Sequence, residues 1–159
     1  MLEDQKKTLG PKDHQVVVFR LAAEEFGTSI DSIKEIRKLS DLSITKVPKT
    51  KEYIAGVVNL RGKIIPVIDL RMRFGMEKSV SETSRIIVFE VEDDVCSAIV
   101  DEVNEVIKIP NENIETATSM VSCINKDYIE GIAKIDDRLV VLVNLQLIAL
   151  KNQANQNAI

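Results

Sequence analysis

One hairpin is written twice in this chain. Gly56 to Leu70 reads GVVNLRGKIIPVIDL, and 75 positions on Gly131 to Leu145 reads GIAKIDDRLVVLVNL. Gly56 answers to Gly131, Leu60 to Ile135, Lys63 to Arg138, Ile64-Ile65 to Leu139-Val140, Ile68-Asp69 to Val143-Asn144 and Leu70 to Leu145. β-Branched residues fill both arms, and Gly62 at the first bend suits a tight turn that needs positive φ. Asp69 then caps a short helical segment, Leu70 to Phe74, which Gly75 stops. A second correspondence, at a shift of 70, pairs Val16-Val17-Val18-Phe19 with Ile86-Ile87-Val88-Phe89. It also pairs Asp31, Ile33, Glu35 and Ile36 with Asp101, Val103, Glu105 and Val106. The fold must therefore accommodate two copies of one strand-rich module.

Gln15 to Leu21 and Glu24 to Ile30 read as the first two strands of the first copy. Asp31 caps a turn, Ile33 to Leu39 alternates as a third strand, and Ser40 to Thr50 is a loop containing Lys46-Val47-Pro48-Lys49. The hairpin completes about five strands. Met76 to Ser84 is a polar connection, after which the order restarts. Pro110 to Glu115 is a short turn, Thr116 to Ser122 a Thr-Ser-rich loop, and Asn144 to about Asn152 a terminal helix.

Five short twisted strands close well as a small barrel, because closure removes unpaired edges. The expected fold is all-β: two five-stranded barrels packed together, with a C-terminal helix. A single twisted sandwich with the same strand count is the alternative. The domain spans 15–150, with halves of about 15–75 and 85–150 and pairing across their boundary possible; 1–14 and 152–159 are expected to be flexible tails. Pro66 lacks a ladder donor, so its strand should be an edge or carry a bulge.

Most chemistry is missing. The single His14 has no aspartate or nucleophile arranged around it, and the six glycines contain no phosphate-binding loop. Glu90, Glu92, Asp93 and Asp94 fall at a hairpin turn, where solvated charge is expected rather than a metal site. Two cysteines, Cys96 and Cys123, supply no zinc set, and Cys96 reads as a reduced core residue. A net charge of −4 and 4% aromatic content disfavour nucleic-acid binding. No stretch reaches the roughly 20 apolar residues of a membrane-spanning helix, and the N-terminus is no signal peptide, so a cytoplasmic protein is expected. No enzyme activity and no cofactor are expected.

The hairpin GVVNLRGKIIPVIDLRMRF resembles the signature of the CheW family of chemotaxis adaptors. Glu35-Ile36-Arg37 after Asp31, the Val47-Pro48 loop, Gly131 and the strand Leu139 to Val143 fit as well, so the resemblance covers about residues 15 to 150. It implies two SH3-like barrels and a protein that couples chemoreceptor cytoplasmic tips to the histidine kinase CheA without performing chemistry. The first barrel would dock on the kinase's own CheW-like regulatory domain, and the groove between barrels on the receptor's helical hairpin. The protein would be a monomer in isolation, recruited to receptor arrays at the membrane. The alternative of another class is a small-ligand sensor with its pocket between the barrels.

By the same resemblance, Ile33, Glu35, Arg61 and Val103 are candidate receptor contacts, and Thr45, Val47 and Ile64 candidate kinase contacts. Arg61 and Glu35 have a purely structural reading too, as a pair that fixes a turn. An arginine fork can hold a carboxylate bidentately, which lysine cannot. Asp136 stands where the first copy has Arg61, so the two copies have diverged at that corner. Apolar residues such as Ile33 and Val103 are also ordinary core formers.

Overall fold

The computed structural model describes residues 13–116 and 128–150. The expected tails, most of the Thr-Ser-rich loop and Cys123 lie largely outside them. The first copy supplies β1 (Asp13–Leu21), β2 (Glu24–Ser29), β3 (Ile33–Lys38), β4 (Ile54–Leu60) and β5 (Lys63–Asp69), followed by α1 (Leu70–Arg73). The second supplies β6 (Arg85–Val91), β7 (Asp94–Val100), β8 (Glu102–Pro110), β9 (Ile114–Thr116), β10 (Ile129–Ile135) and β11 (Arg138–Val143). Residues 145–150 form a last helix, α2. Strand β1 starts two residues before Gln15: Asp13 and His14 pair with Pro110 and Ile109, and the His14 ring meets Asn111 Oδ1 at 3.2 Å.

The strands assort into two sheets, β3-β6-β7-β5-β4 and β8-β1-β2-β11-β10-β9. Neither sheet follows one copy of the repeat. The β1–β2 hairpin of the first copy lies inside the sheet made by β8 to β11, and the β6–β7 hairpin of the second lies inside the sheet made by β3 to β5. Each exchange is sealed by a short parallel seam, β2 with β11 and β5 with β7. The seams share one register under the repeat and overlap at a single equivalent pair, Gly27 facing Leu142 in one and Ser97 facing Val67 in the other.

Burial explains the exchange. On β6, Ile86 and Val88 point into the five-stranded sheet's own core with Leu39, Val58, Leu60, Ile65, Val67 and Ile99. Ile87, Phe89 and Val91, the alternate residues, enter a second core shared with the other sheet. That shared core also takes Phe19, Leu21 and Phe26 from the first hairpin, Ile68 and Leu70 from the end of β5, and Leu145 and Ile148 from α2. A smaller core of Val16, Val18, Ile109, Ala133, Val140 and Leu142 fills the six-stranded sheet. Strands buried on both faces read as unbroken apolar runs, which is why RIIVFEV and QVVVFRL lack a polar alternation. Rings add to the seam: Phe19, Phe26, Phe74 and Tyr128 follow one another at centroid spacings of 5.9, 5.6 and 5.6 Å. The Arg73 guanidinium lies 5.0 Å from the Tyr53 ring and 5.1 Å from Tyr128, which are repeat equivalents.

The short elements follow their sequence signals. Asp69 caps α1 through Met72 N–H, and its counterpart Asn144 caps α2 through Leu147 N–H. Gly56 has φ +144°, and a Cβ there would sit 2.2 Å from the Thr45 carbonyl oxygen, so the loop strand could not approach. Pro66 departs from expectation, because β5 is neither an edge nor bulged at that residue. The reason is register. Val57, directly opposite Pro66, exchanges its hydrogen bonds with Thr45 on its other side, so Pro66 is never asked for a donor by β4. The parallel seam to β7 begins only at Val67, and the Pro66 carbonyl accepts from Ser97 Oγ at 2.8 Å. Cys96 is buried, and burial pushes its thiol up to about 12.

Arg71 on α1 ties the seam electrostatically. Its Nε and Nη2 donate to Asp101 at 2.8 and 2.5 Å, and Ala22 N–H donates to the same carboxylate at 2.7 Å. Burial pushes the Asp101 pKa up, but these donors outweigh it and hold the group below its ordinary 3.8. A depressed carboxylate stabilises fully above its unfolded pKa and loses that contribution as pH falls through the folded value. Thermal melts should therefore show an acid limb beginning near 3.8 and extending below it, and Asp101→Asn should flatten that limb relative to wild type. Phe89→Ala empties part of the shared core and should cost about 3–5 kcal/mol in denaturant titrations. Because both sheets lean on that core, the loss should come in one cooperative transition for probes in either sheet.

Candidate partner-binding site

The β4–β5 turn places Arg61. Arg61 and Gly62 both adopt positive φ, 50° and 87°, as a two-residue hairpin turn of this hand demands, and Asn59 Oδ1 accepts from Gly62 N–H at 2.9 Å. A non-glycine residue in that region is strained. The guanidinium offsets this by donating through Nη2 to Glu35 on the edge strand β3. Arg37 adds a weaker contact to the same carboxylate at 3.7 Å. The Arg61 hydrogen bond holds the Glu35 carboxyl below its ordinary 4.5. The Glu35 side chain is 22% exposed and that of Arg61 69%, so the carboxylate is fixed while most of the guanidinium fork faces solvent. The structure thus brings this candidate pair together with donors to spare.

Ile33 and Val103, the other candidate receptor contacts, hold equivalent positions at the starts of β3 and β8. Both are half-buried and pack against the shared core, one from each sheet. β3 and β8 are edge strands. Each carries an exposed apolar residue three positions further on, Ile36 and Val106. The repeat pattern contained these two residues without marking them as surface, because alternation in an edge strand does not say which face meets water.

Thr45 and Ile64 share the outward face of the five-stranded sheet. Thr45 bridges Val57, Val57 pairs with Pro66, and Asn59 pairs with Ile64, while Val58, Leu60, Ile65 and Val67 point inward. Ile64 is 60% exposed, an unusual state for an isoleucine within a strand. Val47 is exposed too, but it lines a separate cavity of about 200 Å³ with Lys46, Ile54, Asp69 and Met72. In the second copy Leu139 answers to Ile64 and is 61% exposed, a second apolar knob that sequence reading passed over.

Among the described residues, three further concavities bear on the site. A polar one of about 340 Å³ is lined by Asp31, Glu90, Glu130, Asn144 and Gln146 among others. An apolar one of about 220 Å³ lies between Phe26, Phe74, Met76, Tyr128, Ile129 and Val143. The third, about 310 Å³, opens at the mouth of the five-stranded sheet beside Glu35 and Arg61. Among the described residues no group of histidine, cysteine and acidic side chains is placed to hold a metal ion, and no helix is long and apolar enough to cross a membrane.

Comparison with known proteins agrees with this architecture. A family model described as a CheW-like domain matches residues 15–152. A probable chemotaxis protein CheW of Rhizobium etli is 34% identical over 142 residues, 88% of this chain and 90% of that one. The chemotaxis protein CheW of Bacillus subtilis is 34% identical over 146 residues, 91% of this chain and 92% of that one. The crystal structure of the scaffolding protein TtCheW from Thermoanaerobacter tengcongensis superposes with a TM-score of 0.75 at 45% identity, covering 82% of this chain and 88% of that chain. With its two packed β subdomains, its duplicated hairpin and matches along nearly its whole length, this chain belongs to the CheW family of chemotaxis scaffolds.

Proposed function

We propose that this chain is a non-catalytic, cytoplasmic adaptor that holds a chemoreceptor tip and the regulatory domain of the histidine kinase CheA in a fixed mutual relation. The observation that carries the reading is the placement of two chemically different surfaces on one rigid body. The first is the Glu35–Arg61 corner with Ile33 two residues away on β3 and Val103 at the equivalent position of β8, both packed against the shared core. The second is the outward face bearing Thr45 and Ile64, with Val47 nearby. A receptor's helical hairpin would lay an apolar stripe along Ile33 and Val103 and give a carboxylate or carbonyl to the unused Arg61 donors. The kinase domain would cover Ile64, whose exposed side chain suits the centre of an interface. The protein acts by binding alone: a receptor state favours one geometry of the pair, and the kinase equilibrium shifts accordingly.

Titrating the protein with receptor-tip hairpins and, separately, with the kinase regulatory domain tests this; binding to neither overturns it. Arg61→Ala should melt within a few degrees of wild type, because a solvent-screened, exposed ion pair contributes little to stability. It should nevertheless lower receptor-tip affinity about tenfold, and Arg61→Lys should fail to restore it, since an ammonium lacks the planar fork that lets a guanidinium hold Glu35 on one edge and a partner on another. Ile64→Asp should lower affinity for the kinase regulatory domain about tenfold or more while leaving receptor-tip affinity unchanged. Both sets are read by calorimetry on the folded variants.

A further inference from the structure

The two halves of this molecule finish their barrel mouths differently. In the six-stranded sheet Arg138 closes the mouth: its Nε and Nη2 donate to Glu25 at 3.0 and 3.2 Å, and Nη2 also donates to Glu105 at 2.7 Å. Asn104 Nδ2 completes the group at 3.1 Å from Glu25. Under the repeat, Glu105 corresponds to Glu35, Arg138 to Lys63 and Glu25 to Val95. The seams place them equivalently, since Glu25 faces Val140 in one and Val95 precedes the Ser97–Val67 pair by one dipeptide in the other. The five-stranded sheet thus has valine where the other has the carboxylate that anchors the plug. Lys63 pairs with no carboxylate among the described residues. Here the mouth stays open as a cavity of about 310 Å³, with Leu60, Ile65, Val88 and Val95 as its apolar wall and Lys34, Arg61 and Lys63 on its rim. Glu35 is the one carboxylate lining it.

From this juxtaposition we infer that the open mouth is a socket for one apolar side chain of the receptor hairpin, with a carboxylate one helical turn away held by Lys63. The inference rests on the adaptor reading above and assigns the anchor within it. Size argues for a side chain: small-molecule sites begin at about 300 Å³ and enclose most of their ligand, whereas this cavity is at that lower bound and open to solvent. Charge argues for the acid: Arg61 is paired with Glu35 and Lys34 with Glu90 at 3.5 Å, which leaves Lys63 as the unmatched cation on the rim of an apolar floor. A helix supplies both groups on one face at a spacing of three or four residues. The Glu35–Arg61 pair then forms one wall of the socket, which gives a structural ion pair and a binding residue the same address.

The internal template also supplies the test. Val95→Glu installs the carboxylate found at Glu25, which should draw Lys63 across the mouth as Glu25 draws Arg138. The expected result is a receptor-tip affinity lowered about tenfold, with affinity for the kinase regulatory domain unchanged. Lys63→Glu, on an exposed residue, should weaken tip binding and reduce its dependence on salt. In the wild-type protein, methyl resonances of Ile65, Val88 and Val95 should shift when a receptor-tip hairpin is added. If the wild type binds the tip while those methyls stay in place, or if Val95→Glu binds as tightly as wild type, the socket is overturned and the adaptor reading stands. A wild type that binds no tip overturns both. Should Val95→Glu fail to fold, the methyl shifts and Lys63→Glu decide the matter.

Discussion

The shared apolar layer between the two sheets is the constraint from which the rest of the structure follows. Its principal residues come from hairpins that each sheet borrows from the other half of the sequence: Phe19 and Leu21 from β1, Phe89 and Val91 from β6, Cys96, Ala98 and Val100 from β7. A borrowed hairpin cannot be withdrawn without breaking its backbone ladders, β1 with β8 and β11 with β2 on one side, β6 with β3 and β7 with β5 on the other. Separation of the subdomains therefore requires unfolding both. Two beads joined by a linker would rotate freely, but two sheets sharing strands and a core move as one piece.

Much of this was legible in the sequence because strand burial writes directly into residue type. The duplicated hairpin, the cap at Asp69 and the turn glycine at 62 all depend on local chemistry, and they fold as read. The exchange of hairpins was not legible. A strand such as IIVFEV carries the same apolar run whichever sheet receives it, and only the three-dimensional seam at Val67 and Ser97 decides. Pro66 misled for a related reason. Proline restricts one side of a strand only, and which side faces a ladder depends on register, which here turns on the isolated bridge between Thr45 and Val57. At the candidate binding surfaces, the Glu35–Arg61 pair could be read on paper, whereas the exposure of Ile36, Val106 and Leu139 could not. An apolar residue on a strand reads as core until its face is known.

Comparison of the two halves separates frame from surface. Positions that hold the backbone are kept in kind: Gly56 and Gly131 each admit a close backbone oxygen, Thr45 in one case and Glu115 in the other. Tyr53 and Tyr128 each accept the N–H of a helix cap, Asp69 and Asn144. Some positions facing solvent have changed character, but not at random. The first copy pairs Glu35 with an arginine from the turn itself, Arg61; the second has Asp136 there and pairs Glu105 with Arg138 at the head of the next strand. A carboxylate at this corner of either barrel needs a cation because it is partly desolvated. Which side of the turn supplies the cation is free to vary, and with it the shape of the mouth.

Rigidity then has a functional meaning that does not depend on any single contact. A scaffold transmits a preference between two partners only to the extent that the free energy of one contact depends on the geometry of the other, and that coupling is reciprocal. A soft joint would absorb a receptor's rearrangement as internal motion and pass on little. Here the path from the Glu35–Arg61 corner to the face bearing Ile64 runs through a single hairpin, β4–β5, whose inward residues Val58, Leu60, Ile65 and Val67 are buried. Arg61 and Ile64 are three residues apart on that hairpin. Displacing one without the other would mean opening the core beneath both, at a cost of several kcal/mol in lost packing. Two surfaces so placed cannot be moved independently by forces on the scale of a binding preference, typically about 1–3 kcal/mol. The proposed receptor corner and the proposed kinase face are mechanically one site with two chemistries.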